Sequence, residues 1–136
     1  MRRIHHPAAV ALVAWTFVVW TTRLRNIWTD DSLTTGDQWR STALVGSFTA
    51  LAAVAAVALA TRARWTRPAV VALAAWSSGV WVVRAVGIAT AGHDLGFVLV
   101  HLVLAAVTWA LSWVAVRQVT AAAPAVEPTR EPAARR

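Results

Sequence analysis

The chain contains no cysteine, which excludes disulfides, thiolate metal sites and cysteine nucleophiles. Lysine is also absent, so all 13 basic residues are arginine. Together with the many alanines and valines, this composition indicates a GC-rich genome rather than a function. Only 14% of the 136 residues are charged, against roughly 25% in average soluble domains, whereas 58% are hydrophobic. The balance of charged and apolar residues predicts a membrane protein.

Four apolar runs are long enough to cross a hydrocarbon core, which needs about 20 helical residues. They predict an all-α fold class, a bundle of four transmembrane helices that occupies residues 1–120 as one domain. Residues 121–136 combine prolines with charged side chains, which predicts a disordered cytoplasmic tail. The predicted helices span residues 7–28, 41–61, 68–91 and 94–117.

The arginines predict the orientation of the bundle, because basic residues are enriched in cytoplasmic loops. The connection at 61–67 is basic and has no acid, whereas the polar segment 29–40 also carries acids. The turn at Gly92 has almost no charge, and Asp94 after it is the expected N-cap of the last helix. We therefore expect a multi-pass protein of the inner (plasma) membrane, with both termini and residues 62–67 in the cytoplasm.

The first and third predicted helices share one sequence pattern. Pro7 aligns with Pro68, and the same offset then pairs scarce residue types, which makes the match more than a consequence of composition. The pattern predicts two tandem two-helix repeats related by an axis along the membrane normal, with the shared helical face packed on protein. The aligned pairs are Trp15 with Trp76, Trp20 with Trp81, Arg23 with Arg84, and Ile27 with Ile88.

Arg23 and Arg84 are candidates for a ligand or ion site. Each lies about 24 Å along its helix from the proline, at 1.5 Å per residue, which places both in the outer part of the membrane. Arg84 is flanked by valines and alanine and is the more deeply placed. Ionisable residues inside a span are functional candidates. The alternatives are an arginine that snorkels to the headgroups or a structural ion pair.

A polar stripe follows one face of the fourth predicted helix, through Asp94, His101, Thr108 and Ser112. The stripe is typical either of a path for an ion or small solute or of interhelical hydrogen bonds, and we favour the hydrogen bonds. Arg84 and His101 are about equally distant from the turn at Gly92. We expect them at similar depth on neighbouring helices, with Arg84 donating to His101 and Asp94 offsetting the arginine charge.

No cofactor and no metal site are predicted. Haem would need two histidines at matched depth inside the membrane, and His101 is the one histidine within a predicted span. A zinc site formed by His93, Asp94 and His101 lacks a fourth ligand. The net charge of +7 lies at helix ends rather than along one basic face, so nucleic acid is not an expected partner.

The tryptophans fall into two groups. Trp28, Trp39 and Trp65 lie near the predicted membrane interfaces and are expected to act as anchors there. Deeper tryptophans, such as Trp15 and Trp76, need a hydrogen-bond acceptor for the indole N–H, and nearby serine and threonine side chains are the expected partners.

The segment at residues 20–27 (WTTRLRNI), followed by Asp30, Asp31, Ser32 and Leu33, resembles uncharacterised small four-helix integral membrane proteins of high-GC bacteria. The resemblance covers about the first half of the chain and implies no activity. The glutamate of small multidrug transporters and the glycine-rich arginine motif of small fluoride channels are both missing.

The sequence predicts an integral membrane protein without enzymatic activity, a structural or accessory subunit of a membrane assembly. The lipid bilayer, a second copy of the chain or a larger membrane complex are its expected partners. The alternative is a small transporter or channel for an ion or small solute, with Arg84 and His101 in its path.

Overall fold

The computed structural model describes residues 6–121, and within this range the chain forms four α-helices and no strand. All four are long and apolar enough to cross a membrane. The predicted all-α, four-helix fold class is therefore confirmed. In chain order the helices are α1 (Pro7–Trp28), α2 (Thr35–Thr61), α3 (Thr66–Thr90) and α4 (Leu95–Ala121).

Helix α2 begins six residues earlier than predicted, because a capping interaction starts it inside the polar segment. The Thr34 hydroxyl oxygen accepts a hydrogen bond from the backbone N–H of Asp37 at 3.2 Å, and the hydroxyl donates to the Asp37 carboxylate at 2.6 Å. The first of these bonds satisfies one of the N–H groups that the first helical turn leaves free. The prediction that all of 29–40 is loop was wrong, and the connection between α1 and α2 covers only 29–34.

The other two connections are short and are held by hydrogen bonds. Helix α2 ends at Thr61, and its C-cap Arg62 has a φ of 53°, in the left-handed region. The Thr66 hydroxyl donates to the Ala58 carbonyl at 2.9 Å and ties the start of α3 to the end of α2. Asp94 accepts from the backbone N–H of Phe97 at 3.0 Å and so caps α4, as expected.

Helix α4 extends to Ala121, four residues beyond its predicted end at 117. Ala121 is therefore helical rather than part of the tail. The remainder of the predicted tail, 122–136, lies outside the described residues.

The helices pack in a ring, each against its neighbours in the chain, with α4 closing against α1. Below, the loop end means the end of the bundle with connections 29–34 and 91–94, and the terminal end means the opposite one. The terminal end has a core of small side chains, which let the helices approach closely. Its fully buried members include Ala9, Leu12, Ala52, Ala55, Leu73 and Ala115.

Helices α1 and α3 bury equivalent residues. At the offset that pairs Pro7 with Pro68, every buried residue of α1 has a buried counterpart on α3. These paired positions therefore face the bundle interior, whereas Trp76 of the shared face is exposed. The pairs are Ala9 with Val70, Leu12 with Leu73, Val13 with Ala74, Thr16 with Ser77, Trp20 with Trp81 and Ile27 with Ile88.

Two tryptophan hydrogen bonds extend the correspondence to the even helices. Trp15 of α1 donates to Thr108 of α4 at 2.9 Å, and Trp76 of α3 donates to Ser47 of α2 at 3.1 Å. Ser47 and Thr108 stand at the same offset as Trp15 and Trp76. One bond joins α1 to α4 and the other joins α3 to α2, which is the arrangement that a two-fold axis between the two hairpins would produce. A tandem repeat as the origin of the pattern stays a prediction.

Candidate ligand-binding cleft

A cavity of about 390 Å³ opens at the loop end of the bundle, between α1 and α4, with α3 behind it. It is called the cleft below. Residues of α1 from Trp15 to Asn26 form one wall, and Phe97, Val100, His101 and Leu104 of α4 form the other. Its volume falls in the range of small-molecule sites, about 300–1,000 Å³.

The floor of the cleft is formed where α1 and α4 come together. The indole of Trp15 donates to the hydroxyl of Thr108 at 2.9 Å. Farther along, the backbone N–H of Ala8 donates to the side-chain carbonyl of Gln118 at 3.0 Å. These contacts hold the two helices together toward the terminal end, so the cleft is closed on that side.

Two buried tryptophans form the back of the cleft. Trp20 and Trp81 are each 4% exposed, and both line the cavity. Trp20 stacks on Phe48 of α2, with ring centroids 3.8 Å apart and an angle of 18°. Because Phe48 is fully buried, this stack fixes the position of the Trp20 ring.

Three basic side chains line the cleft, one from each of its helices: Arg23, Arg84 and His101. Both arginines and the histidine are half-buried. At 1.5 Å per residue, each lies about 8–9 Å inside the loop-end terminus of its helix. The structure therefore brings Arg84 and His101 together at similar depth on the neighbouring helices α3 and α4, with Arg23 facing them from α1.

The histidine ring is held by its own helix. His101 Nδ1 lies 2.8 Å from the carbonyl oxygen of Phe97, and the two rings are 4.0 Å apart. A carbonyl oxygen only accepts, so this contact places a proton on Nδ1 and leaves Nε2 free for another partner. Among residues 6–121, Arg84 makes no hydrogen bond to His101. The expectation that Arg84 donates to His101 was wrong, because equal depth on neighbouring helices does not by itself direct the guanidinium to the ring.

No carboxylate lines the cleft within residues 6–121. Asp94, expected above Arg84 and His101, caps α4 through the Phe97 N–H and does not line the cleft. The role expected for Asp94, offsetting the charge of Arg84, is therefore not seen.

Asp30, in the loop after α1, is an acidic residue whose pKa is affected by the charge of Arg23. Its carboxylate accepts hydrogen bonds from the hydroxyl and from the backbone N–H of Ser32. These two bonds lower the pKa of Asp30 below its ordinary value, and the charge of Arg23 adds a smaller lowering. The Asp30 carboxylate is exposed and committed to its own turn.

Below the cleft the polar stripe is buried. Thr108 is 2% exposed and Ser112 4%. Thr108 accepts from Trp15 and donates to the Leu104 carbonyl at 2.8 Å, whereas the Ser112 hydroxyl has no partner within residues 6–121. Arg23, Arg84 and His101 thus share one cavity, while Thr108 and Ser112 belong to the packed interior beneath it.

The other tryptophans lie on the surface of the bundle. Trp28 and Trp39 are exposed near the loop end and meet edge to face, with centroids 5.6 Å apart. Trp65 is exposed at the terminal end. Their positions suit the expected anchors, and the anchoring itself stays a prediction. Trp109 donates to the backbone carbonyl of Ser78 at 3.3 Å, an acceptor that the sequence did not suggest.

Sequence reasoning missed several residues of the cleft, namely Trp15, Trp20, Trp81, Asn26 and Phe97. The tryptophans were visible as members of the shared face of α1 and α3, which was interpreted as a packing surface. Asn26 gave no distinct signal beside Arg25 at the end of α1.

Comparisons of the chain with protein-family models, curated proteins and solved structures found no match.

Proposed function

We propose that the protein is a structural or accessory subunit of a membrane assembly and has no enzymatic activity. Its four candidate spans support a multi-pass membrane protein. We further propose the inner membrane as its location, with both termini in the cytoplasm, because the connection between α2 and α3 carries arginines and no acid.

The observation that carries the proposal is the closed bundle beneath the cleft. Trp15 and Thr108 close the floor, and a core of alanine, valine and leucine fills the terminal end. A transport path needs polar groups that meet water along its length, whereas Thr108 and Ser112 are buried. The polar stripe therefore supports interhelical packing rather than conduction.

The chemistry of the cleft supports a role without catalysis. Within residues 6–121 its polar side chains are arginine, histidine, asparagine, tryptophan and one threonine. That threonine, Thr22, donates its proton to the Val18 carbonyl at 2.8 Å. The cleft thus presents no pair of nucleophile and base, which a hydrolytic or group-transfer enzyme would need.

The outer face of α4 supports a partner within the membrane. Leu99, Val103, Trp113 and Val114 are all exposed on this helix. Lipid chains, a second copy of the chain or a larger complex would each cover such an apolar face.

A small transporter or channel is the alternative. The observation in its favour is that Arg84 and His101 line one cavity. In that case the bundle would have to open at the floor formed by Trp15 and Thr108, and the cleft would be one half of an alternating path.

Flux measurements on the purified chain in liposomes separate the two functions. We expect proton and chloride flux no greater than in protein-free liposomes. Flux that rises with the protein content, is abolished by Arg84→Leu and survives Arg25→Leu would establish the transporter instead. Arg25 is the matched control because it is exposed on α1 and does not line the cleft.

Cross-linking in native membranes tests the accessory role directly. We expect the chain to be recovered in a specific cross-linked species heavier than the monomer, and Trp113→Glu on the exposed face of α4 to reduce its yield. Recovery of monomer alone would contradict the proposal.

A further inference from the structure

We propose that the cleft binds an anionic lipid, with the phosphate headgroup held by Arg23 and Arg84 and the acyl chain lying between α1 and α4. This proposal goes beyond the accessory role, since the purified chain would bind the lipid without any partner protein.

The first argument is charge. Arg23 and Arg84 line the same cavity, and within residues 6–121 no carboxylate lines it with them. Two half-buried guanidinium groups repel each other, and their partial removal from water is costly unless an anion offsets it. Asp30, whose pKa the charge of Arg23 helps to lower, is exposed and bonded to Ser32. The position for a counter-anion is therefore between the two arginines.

The second argument is the match of donors to a phosphate. Guanidinium groups bind phosphate oxygens in pairs through their fork of N–H donors. Asn26 lines the loop-end part of the cleft and adds an amide donor. His101 donates its Nδ1–H to the Phe97 carbonyl, so its free Nε2 carries a lone pair that can accept from a headgroup hydroxyl, and the phosphate oxygens are left to the arginines and Asn26.

The third argument is the apolar remainder of the cavity. Toward the floor, the lining changes from Arg23, Arg84 and Asn26 to side chains such as Trp15 and Leu104. A free phosphate ion would leave this apolar part unfilled, whereas an acyl chain would cover it. The cavity therefore has a charged part that suits a lipid headgroup and an apolar part that suits an acyl chain, and the charged part lies nearer the membrane surface.

The fourth argument is access. Val18 on α1 and Val100 on α4 line the cleft and are 63% and 58% exposed. The cleft is therefore open at the side, between the two helices, where the bilayer would be. The arginines lie about 8–9 Å inside the helix ends, near the boundary between headgroups and acyl chains. A lipid can enter sideways without leaving its leaflet.

Native mass spectrometry of the full chain, in detergent with equal amounts of phosphatidylglycerol and phosphatidylcholine, tests the proposal. We expect one bound phosphatidylglycerol, preferred by at least about tenfold, since both lipids carry the phosphate anion but phosphatidylcholine would also place a quaternary ammonium beside Arg23 and Arg84, which repel it. Arg84→Gln and Arg23→Gln should each reduce this preference by about tenfold. The matched control Arg25→Gln should leave it unchanged. Equal binding of the two lipids, or an equal loss with Arg25→Gln, would overturn the proposal.

Inorganic phosphate, as a second arm, separates lipid from free anion. We expect excess phosphate to leave the bound lipid in place, because phosphate lacks the contacts to Trp15 and Leu104. Displacement by phosphate would assign the site to a free anion and overturn the lipid.

Two further variants distinguish a loss of lipid binding from a loss of folding. Arg84→Lys keeps the charge and should bind more tightly than Arg84→Gln. Leu104→Trp narrows the apolar part and keeps both arginines, so it should weaken lipid binding. Helix content by circular dichroism identifies variants that fold. Undiminished lipid binding by folded Leu104→Trp would contradict an acyl chain in the cleft.

Discussion

Replacing Thr108 by valine tests the hydrogen bond that closes the floor of the cleft. Valine nearly preserves the volume of threonine and removes only the hydroxyl. In the native protein this hydroxyl accepts from Trp15 Nε1 at 2.9 Å and donates to the Leu104 carbonyl at 2.8 Å. The substitution therefore leaves the Trp15 N–H without its partner in a site where Thr108 is 2% exposed.

The expected loss of unfolding free energy follows from these two bonds. A buried donor left unsatisfied costs about 1–3 kcal/mol in soluble proteins. Interhelical hydrogen bonds in membranes contribute less, about 0.6 kcal/mol on average and at most about 1.7. We expect Thr108→Val to lose about 1 kcal/mol. Thr49→Val is the matched control, because the Thr49 hydroxyl donates to the Val45 carbonyl at 3.0 Å but receives no tryptophan N–H.

Reversible unfolding in mixed detergent and SDS micelles, followed by circular dichroism, measures both variants. A double-mutant cycle of Thr108→Val with Trp15→Phe isolates the bond between them, and its coupling energy should reach about 0.6 kcal/mol or more. Equal losses for Thr108→Val and Thr49→Val, together with a coupling near zero, would refute the assignment of the floor to this bond.

Three further predictions follow from other contacts. Phe48→Ala should cost about 3–5 kcal/mol of unfolding free energy because Phe48 is fully buried, whereas Phe97→Ala at the rim of the cleft should cost much less; equal losses in SDS unfolding would contradict this. Asp94→Ala should lose about 0.5–2 kcal/mol by removing the cap of α4, with faster amide exchange confined to its first turn, and unchanged exchange there would show that the cap is dispensable. Ser32→Ala should raise the pKa of Asp30 toward its ordinary value, as measured by NMR titration of the carboxyl carbon, because the Ser32 hydroxyl bond is the largest cause of the lowering. Since the folded pKa of Asp30 is lowered, its ionised form favours the folded loop above the ordinary pKa, and this contribution is lost as the pH falls through the folded value; an unchanged pKa in Ser32→Ala would contradict the assignment.

The fold was predictable because it depends on the length and polarity of whole segments. The apolar runs predict four spans, and the predicted bounds of α1 coincide with Pro7–Trp28. The start of α2 was missed because Thr34 and Asp37 form a cap within a segment whose composition is typical of a loop. The local cap sets the start of α2, and the polar composition of the segment does not reveal it.

The candidate site was only partly predictable. Equal distances from the turn at Gly92 place Arg84 and His101 at one depth, because the helical rise is constant. The choice of partner for His101 depends on its side-chain rotamer, which brings Nδ1 to the Phe97 carbonyl one turn back on the same helix. The volume of the cleft depends on which aromatic rings turn inward, which helical periodicity does not resolve.

The position of the cleft has a physical cause in how the two hairpins differ. Phe48 on α2 turns inward and stacks on Trp20 at 3.8 Å. At the offset of Pro7 and Pro68, its counterpart on α4 is Trp109, which is 37% exposed and donates to the Ser78 carbonyl. Trp81, the counterpart of Trp20, therefore lacks an equivalent stack, although both tryptophans line the cleft. The hydrogen bonds of Trp15 and Trp76 form a framework common to both hairpins. The outward turn of the Trp109 ring leaves the space that Arg23, Arg84 and His101 line.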